Sequence, residues 1–190
     1  MKPNATMWML AMLAGGFAGP ALADARGEVE TAMRRMMDEG SFRAHMTSAG
    51  QQMTMDVQLP DRFRLKNEQG EFIILPQGTW MNAGGQWMQF PMNMSQLTQG
   101  FSTRALEEGI NAVQQVDYVG EETVQGCSSR QYRYRTMGTV MGIKTDTDSQ
   151  LWVCQDNGLP IKAVSSERGK SEQVTILYDW AARIDIQPPR

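Results

Sequence analysis

The amino-acid sequence predicts an α+β domain in which a helix leads into an antiparallel sheet, a mid-chain helical insertion interrupts it, and further strands close the chain. Three observations carry this. Residues 26–39 place Val29, Ala32, Met33, Met36 and Met37 on one helical stripe, and Gly40 supplies a C-terminal stop. Residues 53–59 alternate strictly, with Met53, Met55, Val57 and Leu59 against Thr54, Asp56 and Gln58. Between Pro91 and Gln115 the period lengthens, because Leu97, Phe101, Ala105, Leu106, Ile110 and Val113 step by three to five.

Each element then follows in order. Phe42, Ala44 and Met46 alternate with Arg43, His45 and Thr47, which makes a strand directly after the first helix. After the Pro60-Asp61 turn, Phe63 and Leu65 continue the pattern against Arg62, Arg64 and Lys66. Short strands recur over 71–75, 79–82 and 86–90, separated by Gln69-Gly70, Gln77-Gly78 and Gly84-Gly85, and this spacing describes a meander. The helical stretch after Pro91 is weakened by Gly100 and Gly109. Strands resume over 116–121, 127–137, 144–154, 159–166 and 172–179.

The start of the chain reads as a secretory signal. Met1-Lys2 is basic, residues 7–19 are apolar, and Ala21-Leu22-Ala23 has the small-x-small form of a cleavage site. The apolar run is shorter than the roughly 20 residues of a membrane-spanning helix and contains Gly15, Gly16 and Gly19. The expected domain layout is a signal peptide over 1–23 and a single domain over 24–190, exported to the periplasm after cleavage behind Ala23. No cysteine follows the cleavage site, so no lipid anchor is expected on the mature chain.

The net charge of −3 argues against nucleic acid or an anionic membrane surface as a partner, since both demand a basic face. The two cysteines, Cys127 and Cys154, are bound for an oxidising compartment, where an intramolecular disulfide is expected. Directly opposed residues in an antiparallel hairpin share a constant index sum. For Cys127 opposite Cys154 this places the turn between Val140 and Met141, inside the stretch bounded by Gly138 and Gly142. In that register Tyr132, Tyr134, Leu151 and Val153 share one face, and the disulfide and Trp152 share the other.

The chain offers little for catalysis. His45 is the one histidine and falls on the polar side of its strand, and no G-x-S-x-G elbow accompanies it. Asp146-Thr-Asp148 starts like a calcium loop but lacks the glycine and the closing glutamate, so these acids are expected to keep an edge strand soluble. Glu107-Glu108 and Glu121-Glu122 read as solvated charges. The sequence therefore supports no enzyme, no cofactor and no metal centre.

The 16 methionines leave alternatives open. Met53-x-Met55 and Met92-x-Met94 resemble thioether pairs that hold Cu(I). Equally, methionine is a flexible apolar side chain suited to a plain core or to the wall of a cavity for acyl chains.

Several short motifs resemble those of LolA-like lipoprotein carriers. The run Gln58-Leu-Pro-Asp-Arg-Phe-Arg-Leu65, then Glu71-Phe-Ile-Ile-Leu75 and Thr79-Trp80-Met81, resembles the early strands of that family. Gly120-Glu-Glu-Thr-Val-Gln-Gly126, Leu151-Trp152-Val153 and Gly158-Leu-Pro-Ile-Lys162 resemble the second half of related lipid-binding envelope proteins. Ile184-Asp-Ile-Gln-Pro-Pro189 resembles the family's closing motif. One position departs: Leu59 stands where the carriers have a lid-locking arginine immediately before proline.

The resemblance implies a curved antiparallel sheet, an incomplete β-barrel of about ten or eleven strands, with the N-terminal helix and the mid-chain insertion covering its open face. It implies a soluble, non-enzymatic periplasmic binding protein that carries a lipid or lipoprotein acyl chain. The expected cavity wall is Phe42, Met46, Met53, Met55, Val57, Phe63, Leu65, Phe72 and Ile74. The expected lid is Met33, Met36, Met37, Leu97, Phe101, Leu106 and Ile110. A membrane-anchored partner protein, a docking scaffold with a packed core, and a copper-handling protein remain open beside this reading.

Overall fold

The computed structural model describes residues 24–91 and 102–189. Helix α1 spans Ala25–Glu39 and strands β1 to β6 run Ser41–Ser48, Gln51–Gln58, Arg62–Asn67, Gly70–Leu75, Gly78–Ala83 and Gln86–Phe90. Helix α2 follows over Thr103–Asn111, then β7 to β11 over Val113–Val124, Cys127–Val140, Ile143–Cys154, Pro160–Glu167 and Gln173–Asp179. All eleven strands form one sheet in the order β6-β5-β4-β3-β2-β1-β11-β10-β9-β8-β7, and every neighbouring pair is antiparallel. The two meanders meet where β1 pairs with β11, so the sheet is curved but not closed, an incomplete barrel with β6 and β7 as its edges. The expected signal segment and the lid residues Leu97 and Phe101 lie outside the described residues.

Helix α1 ends at Gly40, whose φ of 71° is a left-handed cap that suits a residue without Cβ. Its stripe of Ala25, Val29, Ala32 and Met36 is buried against the sheet. The helix bridges both meanders. Ala25 and Val29 pack with Val113, Tyr132, Tyr134, Leu151 and Ala163, whereas Met36 packs with Phe42, Met55, Val57, Phe63 and Ile74. The opposite face of the first meander is covered by the C-terminal segment. There Ile186 lies against Ile73 and Leu75, and Arg62 Nη1 donates to the Ile186 carbonyl at 3.0 Å. Cover on both faces accounts for the unbroken apolar run Ile73-Ile74-Leu75.

Two polar expectations change. Asp56 alternates onto the outer face as expected, yet it is buried and takes a two-pronged bond from Arg43 at 2.6 and 3.0 Å. It is one rung of a cross-strand charge ladder, Asp179–Arg43–Asp56–Arg64, running over β11, β1, β2 and β3. Asp146 and Asp148 do not guard an edge, because β9 lies between β8 and β10. Asp146 instead binds Arg135 through two 2.7 Å contacts, which hold its carboxyl below the usual carboxylate range. The true edge β7 carries Asp117, Glu121 and Glu122 and two register shifts, both of which discourage strand addition.

Cys127 and Cys154 are joined, with Cα atoms 5.7 Å apart. The register differs from direct opposition: Cys154 lies opposite Ser129, and Val140 pairs with Ile143. The reason is the turn. Met141 and Gly142 have φ of 50° and 81°, the two left-handed positions of a two-residue hairpin turn, which moves the midpoint one residue toward the C-terminus. The index sum changes by two, so side-chain parity is kept: Tyr132, Tyr134 and Leu151 pack on the helix side, and Trp152 packs with Cys154 on the other. The disulfide is thus a diagonal staple at the open end of the β8–β9 hairpin.

Candidate ligand-binding site

An apolar pocket of about 310 Å³ lies between the two helices and the second meander. Helix α1 contributes Met33 and Met36, and α2 contributes Ala105, Leu106, Gly109 and Ile110. The wall comprises Tyr134, Thr136 and Val140 of β8, Thr145 and Leu151 of β9, Pro160, Ala163 and Ser165 of β10, and Ile176 and Tyr178 of β11. None of these side chains is charged. The spacing of 105, 106, 109 and 110 turns one face of α2 toward the sheet.

Polar contacts at the periphery hold the roof in place. Ser102 caps α2 by accepting from the Ala105 amide at 3.2 Å. At the other end, the Glu108 carboxylate accepts from the Met141 amide at 2.6 Å and the Ala112 carbonyl accepts from the Met137 amide at 3.1 Å. The Met141 bond, and then Arg104, keep the Glu108 carboxyl below its ordinary range. Helix α1 is tied down by Glu28, which accepts from the Tyr132 hydroxyl and from Arg130 Nη1. It is tied again by Arg35, which donates to the Asn157 carbonyl at 2.6 Å. Sequence reading singled out Glu108 only as a solvated charge and did not single out Glu28, since neither latch has a local signature.

Four of the expected lid residues, Met33, Met36, Leu106 and Ile110, line this pocket, and Met37 is half-buried. The expected wall residues share one concave face, as the ladders Phe42–Val57–Phe63–Ile74 and Ala44–Met55–Leu65–Phe72 require. There Phe42, Met55, Val57, Phe63 and Ile74 are buried in the cluster around Met36, with Met46 and Leu65 packed at its margin and Phe72 half-buried. Met46 and Met53 pair across β1 and β2 and line a separate rim pocket of about 320 Å³ with Gln51, Asn67 and Glu172. Met53 is half-buried at that rim while Met55 is 2% exposed inside the cluster, so the two thioethers do not face one opening. Met92 and Met94 lie outside the described residues. The wall residues that sequence reading missed, above all Tyr134, Leu151, Ala163, Ile176 and Tyr178, belong to the second meander. Hairpin parity had already put Tyr134 and Leu151 on one face; which face met the helices was the undecided step.

A larger cleft of about 520 Å³ beside α1 is of a different kind, lined by Asp24, Glu28, Arg35, Arg130 and Asp156. It suits water better than hydrocarbon. One cluster of potential metal ligands occurs among the described residues, Cys127, Cys154 and Asp156, and its two sulfurs are bonded to each other. His45 is exposed, beside Thr54 at 3.4 Å.

Three phenols are held in their neutral form. Burial pushes Tyr134 up to about 12, and burial, chiefly, also raises Tyr132 and Tyr178. A folded-state value above the unfolded value of about 10 stabilises the fold fully below pH 10, and that stabilisation is lost as pH climbs toward the folded values. The fold should therefore resist alkali up to about pH 10. Above it, tyrosinate absorbance at 295 nm and loss of β-sheet circular dichroism should rise together; tyrosinate absorbance from all four tyrosines while the circular dichroism stays native would contradict the packing described.

No protein-family model matches the chain, and no curated protein matches it by sequence. Solved structures do match. The lipoprotein LppX of Mycobacterium tuberculosis superposes with a TM-score of 0.65 at 12% identity, covering 86% of this chain and 98% of LppX. LprF from Mycobacterium bovis gives 0.63 at 13% identity, over 87% of this chain and 97% of LprF. MucB gives 0.51 at 13% identity, over 90% of this chain and 64% of MucB. No helix among the described residues is long and apolar enough to cross a membrane. At these identities the likeness is one of fold: this chain shares with LppX and LprF an unclosed, curved antiparallel sheet with helices laid across its hollow face.

Proposed function

We propose that this protein is a non-enzymatic carrier of the bacterial envelope that holds an acyl chain of a lipid or lipoprotein in the pocket between α1, α2 and strands β8 to β11. The observation that carries this reading is the pocket itself, apolar, without a charged side chain, and roofed by helices whose polar ties lie at its edge rather than inside it. The secretion signal read from the sequence and the disulfide both suit the oxidising periplasm. At about 30 Å³ per water-sized group the pocket accommodates roughly ten methylenes. At about 0.8 kcal/mol each, a chain of that length gains roughly 8 kcal/mol before the cost of loosening the roof. The likeness to LppX and LprF supports the reading at the level of fold.

Native mass spectrometry of the mature protein, purified from the periplasm without detergent and followed by organic extraction, tests this. The expected result is one acyl chain per protein at near-stoichiometric level. A clean apo mass with no acyl chain in the extract would overturn it.

A further inference from the structure

The pocket is apolar but not featureless: two phenols, Tyr134 and Tyr178, stand in its wall. Tyr134 lies beside Ser149, which is itself bonded to Ser165 at 2.9 Å. The Tyr178 hydroxyl has no hydrogen-bond partner among the described residues, and its half-buried side chain lines the pocket. Its ring is held by the edge of Phe42, with centroids 5.6 Å apart, and by stacking on Trp180 at 5.9 Å. A hydroxyl fixed by packing and left without a protein partner is a preorganised donor for whatever enters the pocket.

The ligand that satisfies it must bring an acceptor on an aliphatic chain. A carboxylate is a poor candidate, because none of the lining side chains is a cation to pair with a buried negative charge. A bare hydrocarbon leaves the hydroxyl unpaired. We propose that Tyr178 selects a neutral ester- or amide-linked acyl chain by donating a hydrogen bond to its carbonyl oxygen, and so discriminates against free fatty acids. This rests on the carrier reading above and adds the ligand's chemical class and the residue that recognises it.

Displacement of a fluorescent apolar probe from the delipidated full domain by methyl octanoate, N-methyloctanamide, octanoate at pH 8 and nonane tests it. In wild type the ester and the amide should both bind more tightly than octanoate, and the tighter of the two names the linkage preferred. Tyr178→Phe keeps the ring and its stacking, so the fold should melt as wild type. It should weaken ester and amide binding about three- to tenfold while leaving nonane unchanged. Equal loss for nonane, no loss for the carbonyl ligands, or octanoate binding as tightly as its ester would overturn the selection while the carrier reading stood. Failure of every ligand to displace the probe would remove the carrier reading as well.

Discussion

Gly109→Leu should abolish acyl-chain binding and at the same time raise the melting temperature. Gly109 sits in α2 on the face that lines the pocket, and a Cβ built there meets nothing within 4 Å. Its backbone is helical, so a side chain adds no strain. Glycine inside a helix costs about 1 kcal/mol relative to good helix formers, and leucine recovers most of that. Its four side-chain carbons, at about 30 Å³ each, would take up more than a third of the cavity. Each kcal/mol gained corresponds to about 2–4 °C in a domain of this size. Lipid content after purification and a thermal melt are the two measurements. Full lipid occupancy in the variant would show that the chain binds elsewhere, and a lowered melting temperature would show that the pocket has no room to give.

The disulfide predicts the opposite pairing of effects. Replacing Cys127 and Cys154 together by alanine should lower stability by about 3–4 kcal/mol, the chain-entropy value for closing a loop with a sequence separation of 27. The melting temperature should fall by roughly 10 °C. Ligand binding should persist, because the register of β8 and β9 is also set by the Met141-Gly142 turn, and Tyr134 and Leu151 keep their face whether or not the staple at the far end is closed. Thermal melts with and without reductant, with lipid content measured alongside, check this. An unchanged melting temperature would mean that the staple constrains little in the unfolded chain, and loss of binding would tie it to the site itself. The two variants thus separate stability from ligand capacity in opposite directions.

Much of the fold was legible in the sequence because alternation and helical stripe are local properties. The period of two over 53–59 and its recurrence up to Phe90 foretold the first meander, and the stripe from Val29 to Met36 foretold α1. Even the faces of β8 and β9 were readable, since an error of two in the index sum leaves parity intact. The error came from placing the turn by the cysteines, whereas the backbone places it at the glycine that tolerates positive φ.

The candidate site was less legible. Of the lid residues expected from the sequence, Met33, Met36, Leu106 and Ile110 line the pocket, because amphipathic helices announce the face they bury. It concentrated the wall in the first meander, where the apolar alternation is cleanest, and clean alternation signals burial without telling a packed face from a lined hollow. Phe42, Met55 and Val57 meet Met36 and fill their space, whereas the second meander mixes Thr136, Thr145 and Ser165 with Ala163 and leaves room beneath α2. Small and polar side chains in a buried face weaken the sequence signal for the same reason that they open a cavity.

By itself, then, the sequence determined the elements, their order, which residues of each share a face and the pairing of its two cysteines, all of which depend on neighbours within a few residues or on a simple count. Only the tertiary structure decided that β1 joins β11, that Asp56 is buried against Arg43, that Glu28 and Arg35 pin the first helix, and that the hollow lies under α2 beside Tyr178. These depend on how a curved sheet brings together residues more than a hundred positions apart in some cases, such as Glu28 and Arg130. Sheet curvature and side-chain volume act over such distances, and neither leaves a period in the chain.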